Sequence, residues 1–153
     1  MEEFRAQIAT LRAFPARLQA FVAPLNEAQL RFRPQDKEWS IVENIGHLID
    51  IDRLYVARVD LMLSSERPQF APFTPDDQVR AGGYQAKPLA DLLATYSELR
   101  QATVAGLSTI APDELTRVGI HARFGEITIA RLVEILVNHD EVHYTQMRNN
   151  LTQ

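Results

Sequence analysis

Cysteine is absent from these 153 residues. That excludes disulfides, thiolate nucleophiles, iron–sulfur clusters and cysteine-type zinc sites, so any metal must be held by His, Asp or Glu. Long apolar runs are absent as well, and none approaches the ~20 residues of a transmembrane helix. Basic residues do not cluster: 16 Lys and Arg stand against 20 Asp and Glu, scattered, for a net charge of −4. Without a basic track, neither nucleic acid nor an anionic membrane is expected as the main partner. The chain opens Met1-Glu2-Glu3-Phe4-Arg5, acidic at once and unlike a secretory signal, so a cytoplasmic protein is expected. Convincing strand alternation is missing too.

What is present is helical periodicity in an ordinary globular composition, 46% hydrophobic and 24% charged. The length suits one domain over residues 1–153. The first helical segment carries Phe4, Ile8, Leu11, Leu18, Phe21 and Leu25 in steps near 3.6. Pro15 within it removes a backbone donor and predicts a kink or break. A turn-rich stretch from Asn26 to Asp36 follows. The second segment opens on Ser40-Ile41-Val42-Glu43, a capping box with Ser40 as N-cap and Glu43 reaching back. Its two adjacent apolar stripes predict burial over a wide face. Gly46 in mid-helix points to close approach of another backbone or a ligand.

Two long links separate the remaining helices. Residues 64–87 hold Pro68, Pro72, Pro75, Gly82 and Gly83, leaving room for a short helical turn near Asp76–Arg80. Pro88 reads as the N1 proline of the third helix. Residues 111–126 form the second link and contain His121. Thr128 or a neighbour caps the fourth helix, which runs to about Asn149. Together these predict an all-α four-helix bundle with long connections between helices 2 and 3 and between helices 3 and 4.

The chemistry lies in His139-Asp140-Glu141-Val142-His143. Leu132, Leu136, His139, His143 and Met147 trace one helix face. Imidazoles on such a face are either hydrogen-bonded core residues or ligands of one cation, since side chains at i and i+4 stand one turn apart. A metal site needs a third donor. His47, in a buried segment of another helix, is the best candidate, because bundle metal sites use inward side chains on facing helices. His121, in a loop, could approach and is expected to be solvated. The outline His-Asp-x-x-His resembles the metalloprotease His-Glu-x-x-His. Asp is one methylene shorter, and ten residues after His143 leave little room for a downstream ligand, so that reading is set aside.

Trp39-Ser40-Ile41-Val42-Glu43-Asn44-Ile45-Gly46-His47-Leu48 resembles the Trp-Ser…His-Leu segment of DinB/YfiT-like proteins. Gly125-Glu126-Ile127-Thr128 and the helix into His139-Asp140-Glu141-Val142-His143-Tyr144-Thr145-Gln146 resemble their C-terminal half. The resemblance runs in order over most of the chain. It implies a four-helix bundle of unusual connection order, often dimeric, with a divalent metal on three histidines that fall here on His47, His139 and His143. It further implies thiol-dependent transferase or isomerase activity, with the metal activating a low-molecular-weight thiol; an open three-His centre can equally activate water, so a small-molecule transferase or hydrolase is expected. The divalent metal is expected to be Zn, Ni or Fe, among which imidazole ligands do not choose. A non-catalytic dimeric module that binds metal or a small molecule is the alternative. Glu43 and Asp50, one turn either side of His47, could orient its ring, although Glu43 is expected to cap. Asp140 and Glu141 are expected to face solvent, and Trp39 to pack. Nothing in the sequence chooses among Tyr55, Tyr84, Tyr96 and Tyr144 for a hydroxyl near the centre.

Overall fold

The computed structural model describes residues 1–152. Four long helices, α1 (Glu2–Val22), α3 (Ile41–Ser64), α5 (Leu89–Ser108) and α6 (Ile129–Asn150), make a bundle. Two short helices, α2 (Glu27–Arg31) and α4 (Pro75–Gly82), lie in the links, with a hairpin of β1 (Val118–His121) and β2 (Gly125–Thr128). In the bundle α3 packs on α5 and α6, and α1 packs on the same two helices. Successive long helices α1 and α3 therefore lie across the diagonal. That order brings α3 and α6, far apart in sequence, side by side.

The end signals work locally. Ser40 caps α3, its hydroxyl accepting from Glu43 N–H while the Glu43 carboxylate accepts from Ser40 N–H at 2.9 Å. Thr128 caps α6 by accepting from Arg131 N–H at 3.1 Å. The turn expected near Asp76–Arg80 is α4, whose proline sits in its first turn. Pro88 is the N-cap of α5 rather than its first helical residue, with extended backbone at ψ 136°.

Four expectations need correction. The hairpin was not legible, because strands of four residues show too little alternation to separate from loop, and pairing supplies the order. Residues 26–36 hold α2, closed at its start by an Asn26–Gln29 capping box, and α1 ends before Leu25. Pro15 does not break α1, which continues to Val22. The close approach at Gly46 comes from a side chain: a Cβ there would collide with the Tyr84 ring.

Apolar residues fill the bundle in two clusters, one around Leu11, Ile51 and Leu132, the other around Leu18, Ile45 and Met147. Between them lies a polar layer. Arg100 on α5, 1% exposed, donates to Asp52 on α3, to Asp140 on α6 and to the Leu11 carbonyl on α1. One guanidinium thus ties all four long helices. Its charge survives burial because the two carboxylates outweigh desolvation.

Candidate metal centre

The wide buried face of α3 turns His47 inward, and the four-residue spacing on α6 sets His139 and His143 one turn apart opposite it. The three rings meet with centroids 4.3 to 4.8 Å apart. One nitrogen from each lies within 4.8 Å of the others. His47 Nε2 and His139 Nε2 stand 2.9 Å apart. Two donors bound at ~2.0–2.1 Å to one ion at a right angle would stand about 3 Å apart, so the spacing suits a shared cation.

Protonation suits it as well. Burial lowers His47 to about 2, His139 to about 3 and His143 to about 4, with neighbouring imidazoles adding to the effect at the first two. All three are neutral at pH 7, the form that ligates. His143 Nδ1 lies 2.9 Å from Asn44 Oδ1, which can only accept, so the proton sits on Nδ1 and the Nε2 lone pair is free. The Asn44 amide is set by its own Nδ2, which donates to the Ser40 carbonyl at 3.0 Å. Nδ1 of His47 and of His139 are buried without a protein partner. Neither ring is therefore tied down at Nδ1, unlike His143 with its Asn44 partner.

The cluster opens on a cleft of about 960 Å³ between α3, α6 and the hairpin. Trp39 walls one side, its ring 4.6 Å from that of His47 and stacked at 6.0 Å on His143. It is half-buried and packs on two of the candidate ligands, so packing and site coincide. Gln146 and Tyr55 also line the cleft.

Other candidates are placed elsewhere. Neither Glu43 nor Asp50 reaches the His47 ring. Glu43 pairs with Arg33 and caps α3, while Asp50 accepts from the Tyr84 hydroxyl at 2.5 Å. Asp140 is 3% exposed and faces Arg100, contrary to the expectation of a solvent-facing residue. A buried cation on α5, invisible in the pattern of α6, holds it there. Glu141 is exposed and pairs with Arg17 as a surface residue should. His121 ends β1 and lines the cleft, but it is not one of the three converging histidines, and its Nδ1 accepts from Arg123 and Phe124 N–H. Of the tyrosines, Tyr84 and Tyr96 are buried in the core, Tyr144 packs on Phe14 and Phe21, and Tyr55 alone lines the cleft. Asn44 was missed by sequence reasoning. Its signal was an amide three residues before His47 on a stripe otherwise apolar.

The DinB superfamily model matches residues 10–147. The chain belongs to that superfamily. Among DinB-like relatives, an inferred metal-dependent hydrolase of Geobacillus thermodenitrificans is 27% identical over 117 residues, 76% of this chain. The match spans 66% of that relative, slightly under two thirds of its length. A second inferred metal-dependent hydrolase, from Oceanobacillus iheyensis, is 24% identical over 84% of this chain and 74% of its own. YfiT from Bacillus subtilis, described as a probable metal-dependent hydrolase with an unusual four-helix bundle topology, superposes with a TM-score of 0.87. It covers 99% of this chain and 89% of its own at 22% identity. The mycothiol-dependent maleylpyruvate isomerase superposes with a TM-score of 0.75 over 94% of this chain and 60% of its own, at 9% identity. At such identities the two structures speak for the fold alone: the DinB-like four-helix bundle.

Proposed function

We propose that this chain is a metal-dependent enzyme acting on a small molecule, with His47, His139 and His143 as ligands of one divalent ion. The observation that carries this reading is the convergence of three neutral imidazoles on the wall of an open cleft. No fourth His, Asp or Glu joins that group among the described residues, as a site with exchangeable positions requires. A divalent ion there supplies Lewis acidity that activates water or a thiol and polarises a carbonyl. Asn44 orients His143, Trp39 shields His47 from bulk water, and the cleft walls hold the substrate. The reaction class is hydrolysis or transfer from a low-molecular-weight thiol. Names of the hydrolase relatives support the first, and the thiol dependence of the isomerase neighbour supports the second. A sulfur nucleophile has to come from a cosubstrate, because the chain has no cysteine.

The test is metal analysis of untagged protein beside His47→Ala, His139→Ala and His143→Ala, followed by assays with thiols plus electrophiles and with simple esters and amides. One ion per chain, lost in each variant, with turnover in one assay class, is the expected result. Stoichiometric metal that survives all three substitutions overturns the ligand assignment. Bound metal with no turnover in any class turns the reading to a binding module.

A further inference from the structure

Arg58 is a buried cation for which the protein provides no counter-charge. It is 8% exposed, makes no hydrogen bond or ion pair with the described residues, and its Nε is wholly enclosed without a partner. Only Nε is enclosed, so the terminal nitrogens keep access to the cleft that Arg58 lines, where an anion would offset the cost of burying the rest of the side chain. The guanidinium carbon lies 4.9 Å from the centre of the Phe70 ring, and Tyr55 and His121 are close enough to interact electrostatically. Phe70 is itself held deliberately. Its N–H donates to the Ile120 carbonyl at 2.9 Å, Ile120 N–H donates to the Pro68 carbonyl at 2.8 Å, and the ring fills space that a side chain at Gly119 would occupy.

Arg58 stands on α3 eleven residues after His47, close to three full turns, so the two share a helix face about 16 Å apart along the axis. Between them Ile51, Leu54 and Tyr55 form the cleft floor. The charged side chains lining that cleft are Lys37, Arg58 and Arg123 against a single carboxylate, Glu38, in a chain whose net charge is −4. Lys37 and Glu38 adjoin Trp39 at the histidine end, whereas Arg58 and Arg123 stand near His121 with no carboxylate among the lining residues there.

We propose that the cleft takes a ligand whose carboxylate or phosphate group sits on Arg58 and whose apolar body lies along α3 toward His47, His139 and His143. The anion seat is independent of metal chemistry. Only the placing of the reacting group at the histidines rests on the functional reading above.

The experiment is calorimetric titration with octanoate, octyl phosphate and octanol, in metal-loaded and in chelator-treated protein. Both anions are expected to bind about tenfold more tightly than octanol, the scale of one charge-assisted hydrogen-bonded contact. Arg58→Met is expected to bring octanoate to within about twofold of octanol, and Arg58→Lys to keep part of the preference, as a point charge does. In wild-type protein, the Arg58 Nε–H resonance should shift with octanoate and not with octanol, a readout that needs no variant to fold. Equal binding of octanoate and octanol, an anion preference that survives Arg58→Met, or an unmoved Arg58 resonance overturns the proposal. A preference lost on chelation but kept in Arg58→Met places the anion on the metal and also overturns it. An Arg58-dependent preference in protein that binds no metal keeps the seat and removes the metal reading, so the two failures are distinct.

Discussion

Asp140 accepts two hydrogen bonds from Arg100, at 2.7 and 3.1 Å, while its sequence neighbour His139 turns into the cleft. The helix thus splits adjacent residues between the bundle's internal ion layer and its candidate metal centre. Burial pushes the Asp140 carboxyl up, to about 6, against the pull of Arg100, and the nearby charges of Asp52 and Glu141 add to the rise. The layer joins all four long helices, and its failure should be global.

Arg100→Met strands Asp52 and Asp140 in the core. Breaking a buried ion pair from one side costs about 3–5 kcal/mol, and that loss is expected in urea unfolding. Replacing all three charged residues together by apolar ones of similar volume should cost far less. A loss below about 1 kcal/mol in the single variant would show the layer to be hydrated and weak.

Asn44 should act through His143. Asn44→Leu removes the acceptor of the His143 Nδ1 proton, and outer-shell losses of this kind weaken metal binding about 10–100-fold. Competition against a chromophoric chelator measures it. Asn44→Asp keeps an acceptor and should restore most of the affinity. Equal affinity in wild type and Asn44→Leu would separate Asn44 from the site.

Gly46→Ala should destabilise the fold although alanine is the better helix former. The Cβ meets the Tyr84 ring, and overpacking of this kind costs about 1–3 kcal/mol against a propensity gain of about 1 kcal/mol. Combining it with Tyr84→Leu should relieve the clash, giving a coupling visible in a double-mutant cycle of thermal unfolding. Simple additivity of the two substitutions would refute the packing explanation.

Glu43 links stability to pH. Burial alone would raise its carboxyl, but Arg33 and the Ser40 N–H outweigh burial and hold it below its ordinary value. A lowered folded-state pKa means the unfolded chain takes up the proton first. The contribution is therefore complete above the unfolded value and lost as pH falls through the folded one. Wild type should exceed Glu43→Gln by about 1 kcal/mol at neutral pH, with the gap closing as pH falls through and below the ordinary carboxylate range. A gap independent of pH would assign the effect to shape.

Much of this was legible in the chain because its causes are local. Ser40 and Glu43, or Thr128 and Arg131, are three residues apart, so a cap can be read from the order of residue types alone. Periodicity likewise placed His139 and His143 on one face, and burial of the segment around His47 made it their candidate partner. Asp140 was misread for the converse reason. Its environment is set by Arg100, 40 residues away on a helix whose neighbours no periodicity reveals.

The sequence by itself determined four amphipathic helices, their start signals, and a cysteine-free set of histidines, since backbone hydrogen bonding and side-chain spacing act within a few residues. Only the tertiary structure decided that α1 and α3 lie across a diagonal, that α3 and α6 touch, and that Arg100 rather than solvent receives Asp140. It also decided that Phe70 and Arg58 meet at one end of a cleft whose other end holds three imidazoles. Those outcomes depend on how whole helix faces pack against one another, and packing is a property of the assembled chain.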